Sequence, residues 1–313
     1  MTCIMDRVQS EILGEYCKGR VFQAERKMRL LVTLIRSALR EGEDDYASYG
    51  ISLIVETVKS VAESENKSWF LMSVKSLLDD IAEEGLRSSE VVEVILEAYE
   101  QIVRKLNFDI FITSDILVSI VNLYRYCLHR SPLTIRGKVW FRLVSRAFFI
   151  SIEAYKVHAM SEDYFLAVSK IEKYLREILR ELSKGTSEII PGVGLILIYI
   201  MSMDTCMELL RKGKLDGAVH LVKVVVEETT MTSEKLCFLV ELAIKSRVEG
   251  FYDFSVVCVE ELKKLKRLKI EVEYNSEIER MEIVVENGFV HVKTGNVEEH
   301  EAVFWLKSKV EEE

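Results

Sequence analysis

The feature that most constrains this chain is a short turn written twice. Gly213-Lys214-Leu215-Asp216-Gly217-Ala218 is echoed 37 residues later by Gly250-Phe251-Tyr252-Asp253-Phe254-Ser255. An apolar series follows each glycine: Leu215, Val219, Val222 and Val225 in the first case, Tyr252, Val256, Val259 and Leu262 in the second. Steps of four, three and three set each series along one helix face. Glycine ends a helix because it takes left-handed backbone without a Cβ clash, and an acidic residue in the following first turn favours a new helix. The expected unit is therefore helix, tight turn, helix, and then the same again. Looser copies stand at Gly19 and Gly42. In all four places a small residue (Ala24, Ala47, Ala218, Ser255) lies five positions after the glycine, and apolar residues lie nine and twelve after it. The step from Gly19 to Gly42 is 23 residues, so the period is not constant.

Between these turns the helical rhythm continues without the glycine signature. With only 2 prolines and 14 glycines, and 49% apolar against 30% charged residues, most of the chain is expected inside regular elements rather than disorder. Helices are expected near 4–18, 45–63, 67–84, 89–106, 112–130, 136–160 and 162–184, with Gly85 and Gly185 as stops, Ser131-Pro132 as a break and Pro191 opening the next helix. Loops are short, which folds successive helices back on one another. After Lys269 the period changes. Ile270, Val272 and Tyr274 alternate with glutamates, and Asn287-Gly288 separates two alternating runs, a strong hairpin signal because both residues tolerate positive φ. A helix near 297–310 ends the chain. The fold class expected is mostly all-α, an antiparallel helix-pair array (α-solenoid) over 1–269, open to subdivision near 185–191. A small β-hairpin and helix over 270–313 would cap it, because the last pair of an array otherwise exposes its apolar face.

A net charge of −9 argues against general attraction to nucleic acid. The six cysteines form no CxxC pair and no metal-ligand spacing with histidine, which reads as buried reduced thiols and a cytoplasmic setting. No basic start precedes an apolar core at the N-terminus. The longest apolar run, Val193–Met203, falls short of the roughly 20 residues that span a bilayer, so it is expected to be a buried helix and no membrane span is expected.

Few residue patterns carry chemistry. Asp79-Asp80 and Glu83-Glu84 could hold magnesium from one helix, as in helical isoprenoid synthases, yet no second acid-rich motif of like quality faces them in sequence. Ser64 and Lys67 match a bare SxxK spacing, and Gly192-Val193-Gly194 lacks the strand a dinucleotide site needs. The five histidines form no i, i+4 pair apt for metal. The expectation is no catalytic residue, no cofactor and no bound metal. One compositional anomaly stands apart. From Ile116 through Ile152 there is no Asp or Glu, while Arg125, Arg130, Arg136, Lys138, Arg142 and Arg146 are present, so this window carries +6 and the rest of the chain about −15. Lys138, Arg142 and Arg146, four apart, share a helix face, with Tyr124, Tyr126 and Trp140 nearby. Arg125, Arg136, Lys138, Arg142 and Arg146 are thus the candidate site for a polyanion or acidic partner, or else the counter-charges of neighbouring helices such as those bearing Glu172, Glu177 and Glu181.

The turns Gly213–Ala218 and Gly250–Ser255 resemble the middle of tetratricopeptide-like repeats, where a glycine precedes a second helix bearing a small residue five positions on. The resemblance covers about two units, roughly 194–269. It lacks the family's first-helix tryptophan and tyrosine and its closing proline, and its offset is longer than the usual period of about 34. It implies stacked helix pairs whose concave face binds peptide or protein surfaces without chemistry of its own. The function expected is a protein–protein interaction scaffold or regulatory adaptor. The alternative is an anion-binding module for RNA or a phosphopeptide, using the basic stripe; a magnesium-dependent helical enzyme comes third.

Overall fold

A computed structural model describes residues 2–132, 134–161, 164–184, 191–230, 233–265, 269–286 and 289–311. Among the described residues it forms thirteen helices and three strands. The first six helices are α1 (Thr2–Cys17), α2 (Val21–Glu41), α3 (Asp44–Ser60), α4 (Lys67–Gly85), α5 (Ser89–Lys105) and α6 (Ile110–Arg130). Then come α7 (Arg136–Ala159), α8 (Tyr164–Lys184), α9 (Pro191–Arg211), α10 (Leu215–Glu228), α11 (Ser233–Val248) and α12 (Tyr252–Leu265). Strands β1 (Lys269–Tyr274), β2 (Glu282–Glu286) and β3 (Phe289–Thr294) and a last helix, α13 (Val297–Glu311), end the chain. The fold is a helical array with a β element near its C-terminus, as the periodicities predict. The described residues divide into two compact units, one over 2–154 and one over 155–184 and 191–311.

The four glycine turns are one structure. Gly19, Gly42, Gly213 and Gly250 have φ of 73°, 78°, 72° and 85°. At each, the glycine N–H donates to the carbonyl three residues back and the next N–H to the carbonyl five back, as in Gly213 to Leu210 (2.9 Å) and Lys214 to Leu209 (2.9 Å). This double closure satisfies the carbonyls that a helix end leaves open. The carbonyl of the following residue (Arg20, Glu43, Lys214, Phe251) then accepts the first bond of the new helix, so one residue ends one helix with its N–H and starts another with its carbonyl. The small residue five after the glycine is fully buried every time, at Ala24, Ala47, Ala218 and Ser255. Met28 and Leu31, Ile51 and Ile54, Val222 and Val225, and Val259 and Leu262 are likewise core residues.

The inner face is rotated from the expected stripe, however. Leu215, Tyr252 and Val256 lie exposed, and Leu221 and Cys258 take their places in the core. The reason is the close approach at the small residue, which turns positions five, eight, nine and twelve inward. In the second unit α9 packs on α10 and α11 on α12, while α9 also packs on α11 and α10 on α12, so the two pairs stack in register. The first unit shows the same alternation, α2 on α4, α3 on α5 and α4 on α6.

Strands β2 and β3 pair antiparallel from Glu282↔Lys293 to Glu286↔Phe289, as the expected hairpin requires; its turn, Asn287-Gly288, lies outside the described residues. The strand order is β1-β3-β2, with β1 parallel to β3, which leaves β2 at an edge. Ile270, Val290 and Val292 form a buried face against which α13 sets Ala302, Val303 and Leu306, and α13 packs also on α11 and α12. Asn296 Oδ1 caps α13, accepting from the Glu298 (2.8 Å) and Glu299 (3.3 Å) N–H groups.

Two helices differ from expectation in one respect. By length and composition α6 over Ile110–His129 and α9 over Val193–Arg211 are apolar enough to cross a membrane, with 44% and 61% of the stretch buried within the protein. In α9 the apolar run does not stop at Asp204, because Cys206, Met207, Leu209 and Leu210 carry it on for two more turns.

Candidate interaction surface

The basic stripe lies along α7 and meets an acidic stripe on α5. Lys138 Nζ is 3.9 Å from Glu90, Arg142 Nε is 3.6 Å from Glu93, and Arg146 reaches Glu93 at 2.7 Å and also pairs with Glu100. Arg142 Nη1 also donates to the Ser89 carbonyl at 2.5 Å. Glu100 has only 9% of its side chain exposed and is bonded by Arg104 as well. For Lys138, Arg142 and Arg146 the counter-charges are therefore those of α5, three and seven residues apart. Arg136 donates to the Ser131 carbonyl (3.2 Å) just past the end of α6. Arg125 is exposed on α6, whereas Tyr124 and Trp140 are buried and offer no stacking surface.

The acid cluster on α4 is spoken for in another way. Lys75, itself buried, inserts between Asp79 (2.8 Å) and Asp115 of α6 (2.6 Å), and the Tyr99 hydroxyl donates to Asp79 at 2.6 Å. Burial works to lower the Lys75 pKa, but its two carboxylates outweigh it and hold the ammonium charged. A fixed cation thus occupies the place between the two aspartates where a metal would sit. Among the described residues no three His, Cys, Asp or Glu side chains converge on a metal-sized site. The Ser64 hydroxyl bonds Tyr16 (2.7 Å) and the Lys67 ammonium bonds Glu63 (2.5 Å), so the two SxxK side chains are engaged with other partners, although the Lys67 N–H donates to the Ser64 carbonyl (3.1 Å). His220 pairs with Glu172 and His291 with Glu271, each at 3.0 Å. Gly194 has a packing reason: a Cβ there would lie 2.5 Å from the Leu182 carbonyl oxygen, so its bareness lets α9 press against α8.

What the sequence reading misses is a groove in the second unit. Its floor is one face of α11, bearing Glu234, Cys237, Phe238 and Glu241; one wall is α9, through Ile196, Tyr199, Ile200 and Met203. The other wall is β2, through Ile283, Val284 and Val285. The cavity measures about 400 Å³. Ile196, Ile200 and Val284 are 53%, 51% and 47% exposed, so large aliphatic side chains are presented to solvent in one concavity. Ile196, Ile200 and Met203 recur at four and three, a single ridge of α9. The expectation that Val193–Met203 is a buried helix is thereby corrected for one face. The signal was available: a helix apolar on every side, flanked by neighbours on only some of them, must leave a face bare. Burial pushes the Cys237 thiol up to about 11, so at neutral pH it is an apolar lining group rather than a nucleophile.

No family profile matches the chain, and no curated protein matches it. Among solved structures, a circular tandem repeat protein described as having a novel repeat topology and enhanced subunit contact surfaces is similar over 84% of this chain, at 16% identity and a TM-score of 0.30. The chain spans 63% of that protein's length.

Proposed function

We propose that this chain is a non-catalytic protein-binding module, a scaffold or adaptor, and that the groove walled by α9, α11 and β2 is its working surface. The observation that carries the reading is the row Ile196, Ile200 and Val284, large apolar groups half exposed around a concave, mostly apolar recess. Concave apolar sites are where proteins take up side chains of a partner, and contiguous apolar surface of this kind marks an interaction site. The tetratricopeptide-like description of 194–269 belongs to the same proposal, supported by two stacked helix pairs that share one corner geometry. Binding of a polyanion through Arg125, Arg136, Lys138, Arg142 and Arg146 is the less favoured reading, since most of those cations already hold protein carboxylates or carbonyls.

The test compares affinity capture with the wild-type chain, an Ile196→Glu/Ile200→Glu variant and a Lys138→Glu/Arg142→Glu variant, all checked for retained helicity. Both isoleucines are half exposed, so their replacement leaves the core intact. Partners lost only from the isoleucine variant support the groove. Equal capture by that variant and the wild type refutes it.

A further inference from the structure

The charges around the groove narrow its occupant, and we infer that it receives a basic amphipathic helix of a partner protein. This rests on the groove reading above and adds the chemistry of the ligand. Among the described residues the side chains lining the apolar recess include the acids Glu234 and Glu241, and the nearest cation, Lys245, sits at the Met203 end, against the Met203 sulfur (3.8 Å) and Glu241 (2.6 Å). On the β2 wall, Glu282 and Glu286 are exposed on either side of Ile283–Val285. Beyond Met203 the recess continues along the same two helices into a second hollow of about 570 Å³ that holds Asp204, Glu208, Glu249 and Glu299 against Arg211 and Lys245.

Both of those cations are already held. Arg211 grips Glu249 with two bonds (2.8 and 2.5 Å), and Lys245 pairs with Glu241 (2.6 Å). Glu234 and Glu299 form no ion pair with a basic side chain among the described residues. Asp204 shares Arg211 electrostatically with Glu249 and Glu208, and Glu282 faces Lys293, which already pairs with Glu273 (3.0 Å), so carboxylates outnumber cations along the trough. An apolar trough edged by more carboxylates than cations favours lysines and arginines on the rim of its ligand and repels acidic segments. It also argues against a second copy of this chain, which carries −9 overall.

The shape points to a helix. From Ile196 to Arg211 the α9 wall is about 22 Å long at 1.5 Å per residue, the length of a helix of about 15 residues. The α9 ridge at three-and-four spacing matches the ridge of a second helix, and amphipathic helices dock in such grooves through anchors at i, i+3, i+4 and i+7. The edge of β2 is less suited to taking an added strand, because α11 packs directly on β2 and the Cys237 thiol lies 3.7 Å from the Ile283 carbonyl oxygen.

The probe is a fluorescein-labelled Leu/Lys amphipathic peptide of about 15 residues, titrated with the full chain by fluorescence anisotropy at about 0.15 M salt. Two control peptides accompany it, one scrambled at the same composition and one with glutamate for lysine. The Leu/Lys helix is expected to bind at least about tenfold more tightly than either control. Ile196→Glu/Ile200→Glu abolishes that binding, and Asp204→Lys/Glu234→Lys weakens it about tenfold or more. Equal binding of the scrambled peptide, or unchanged binding to both variants, overturns the inference, since attraction would then be to net charge alone. So does sedimentation showing a dimer that Ile200→Glu dissolves, which would make the occupant a second copy. If cellular partners are lost from the isoleucine variant while the basic peptide ignores the groove, the interaction reading stands and the basic helix falls. If neither responds, both fall.

Discussion

The four left-handed glycines allow one substitution to be predicted with both signs. At Gly213 (φ 72°) an added Cβ meets no atom within 4 Å, so the penalty for Gly213→Ala is one of backbone alone. Left-handed backbone costs an L-residue roughly 1–2 kcal/mol. Alanine returns about 0.4–1 kcal/mol by restricting the unfolded chain. The net expectation is a loss of about 0.5–1 kcal/mol. Gly250, Gly19 and Gly42 share the geometry and the open surroundings, so their alanine variants should lose similar amounts. Gly14 is the internal control. It sits inside α1, with nothing within 4 Å of its would-be Cβ and no positive φ, and alanine there should gain up to about 1 kcal/mol from helix propensity. Thermal melts followed by circular dichroism resolve the difference, because about 1 kcal/mol shifts the midpoint by roughly 2–4 °C in units of this size. Gly213→Asn should recover part of the loss, since asparagine visits the left-handed region readily. A Gly213→Ala protein as stable as wild type would refute the corner geometry, whatever happens at Gly14.

Other consequences are equally direct. Arg146→Ala leaves Glu93 without its closest cation and Glu100 with Arg104 alone, and should cost about 1–3 kcal/mol in urea unfolding, whereas the exposed Lys138→Ala should cost under about 0.5 kcal/mol. Gly194→Ala drives a methyl group to 2.5 Å from the Leu182 carbonyl and should lower stability by about 1–3 kcal/mol, visible as a reduced melting midpoint. Between α8 and α10, burial raises the Glu228 and Glu172 carboxyls, but Arg176, with Arg180 at Glu228 and His220 at Glu172, outweighs it and holds both below their ordinary 4.5. For acids so depressed, the stabilisation is complete above about pH 4.5 and is lost as pH falls through the lowered values, so the melting midpoint should drop below that pH, and less steeply in Glu228→Gln.

Much of the architecture was legible because it depends on local chemistry. A glycine that must turn left, a small residue where two helices touch, and apolar residues nine and twelve further on are properties of a short window, and all four corners follow from them. The strands after Lys269 and the helix from Val297 were equally local, as a period of two gave way to one of 3.6. The rotation of the α10 and α12 inner faces was not, because it is set by how closely a neighbour approaches Ala218 and Ser255. The apolar span of α9 was underestimated for a related reason: Asp204 reads as a boundary in sequence, whereas in a helix it occupies one face while the others continue apolar.

The two candidate surfaces read differently along the chain and in space, and for the same physical reason. Lys138, Arg142 and Arg146 stand out in sequence because their own window has no acid, yet charge is balanced across space rather than along the chain. Glu90, Glu93 and Glu100, some forty residues or more earlier in sequence, repeat on α5 at the spacing that meets them. The run Val193–Met203 showed the opposite illusion. Its uniform apolarity suggests interior, because sequence records what a helix carries and not how many of its faces are covered. In the second unit α9 is covered by α8, α10 and α11, and the ridge of Ile196, Ile200 and Met203 is what those contacts leave over. Acids that look like ordinary surface residues in sequence, Glu234 on α11 and Asp204 at the far end of the same ridge, become the electrostatic frame of that ridge only when α9 and α11 lie side by side. A charge-reversed pair there should therefore change which peptides bind while costing the helix pairs little stability, because Glu234 forms no ion pair among the described residues and Asp204 acts only at a distance on Arg211, which Glu249 already holds with two bonds.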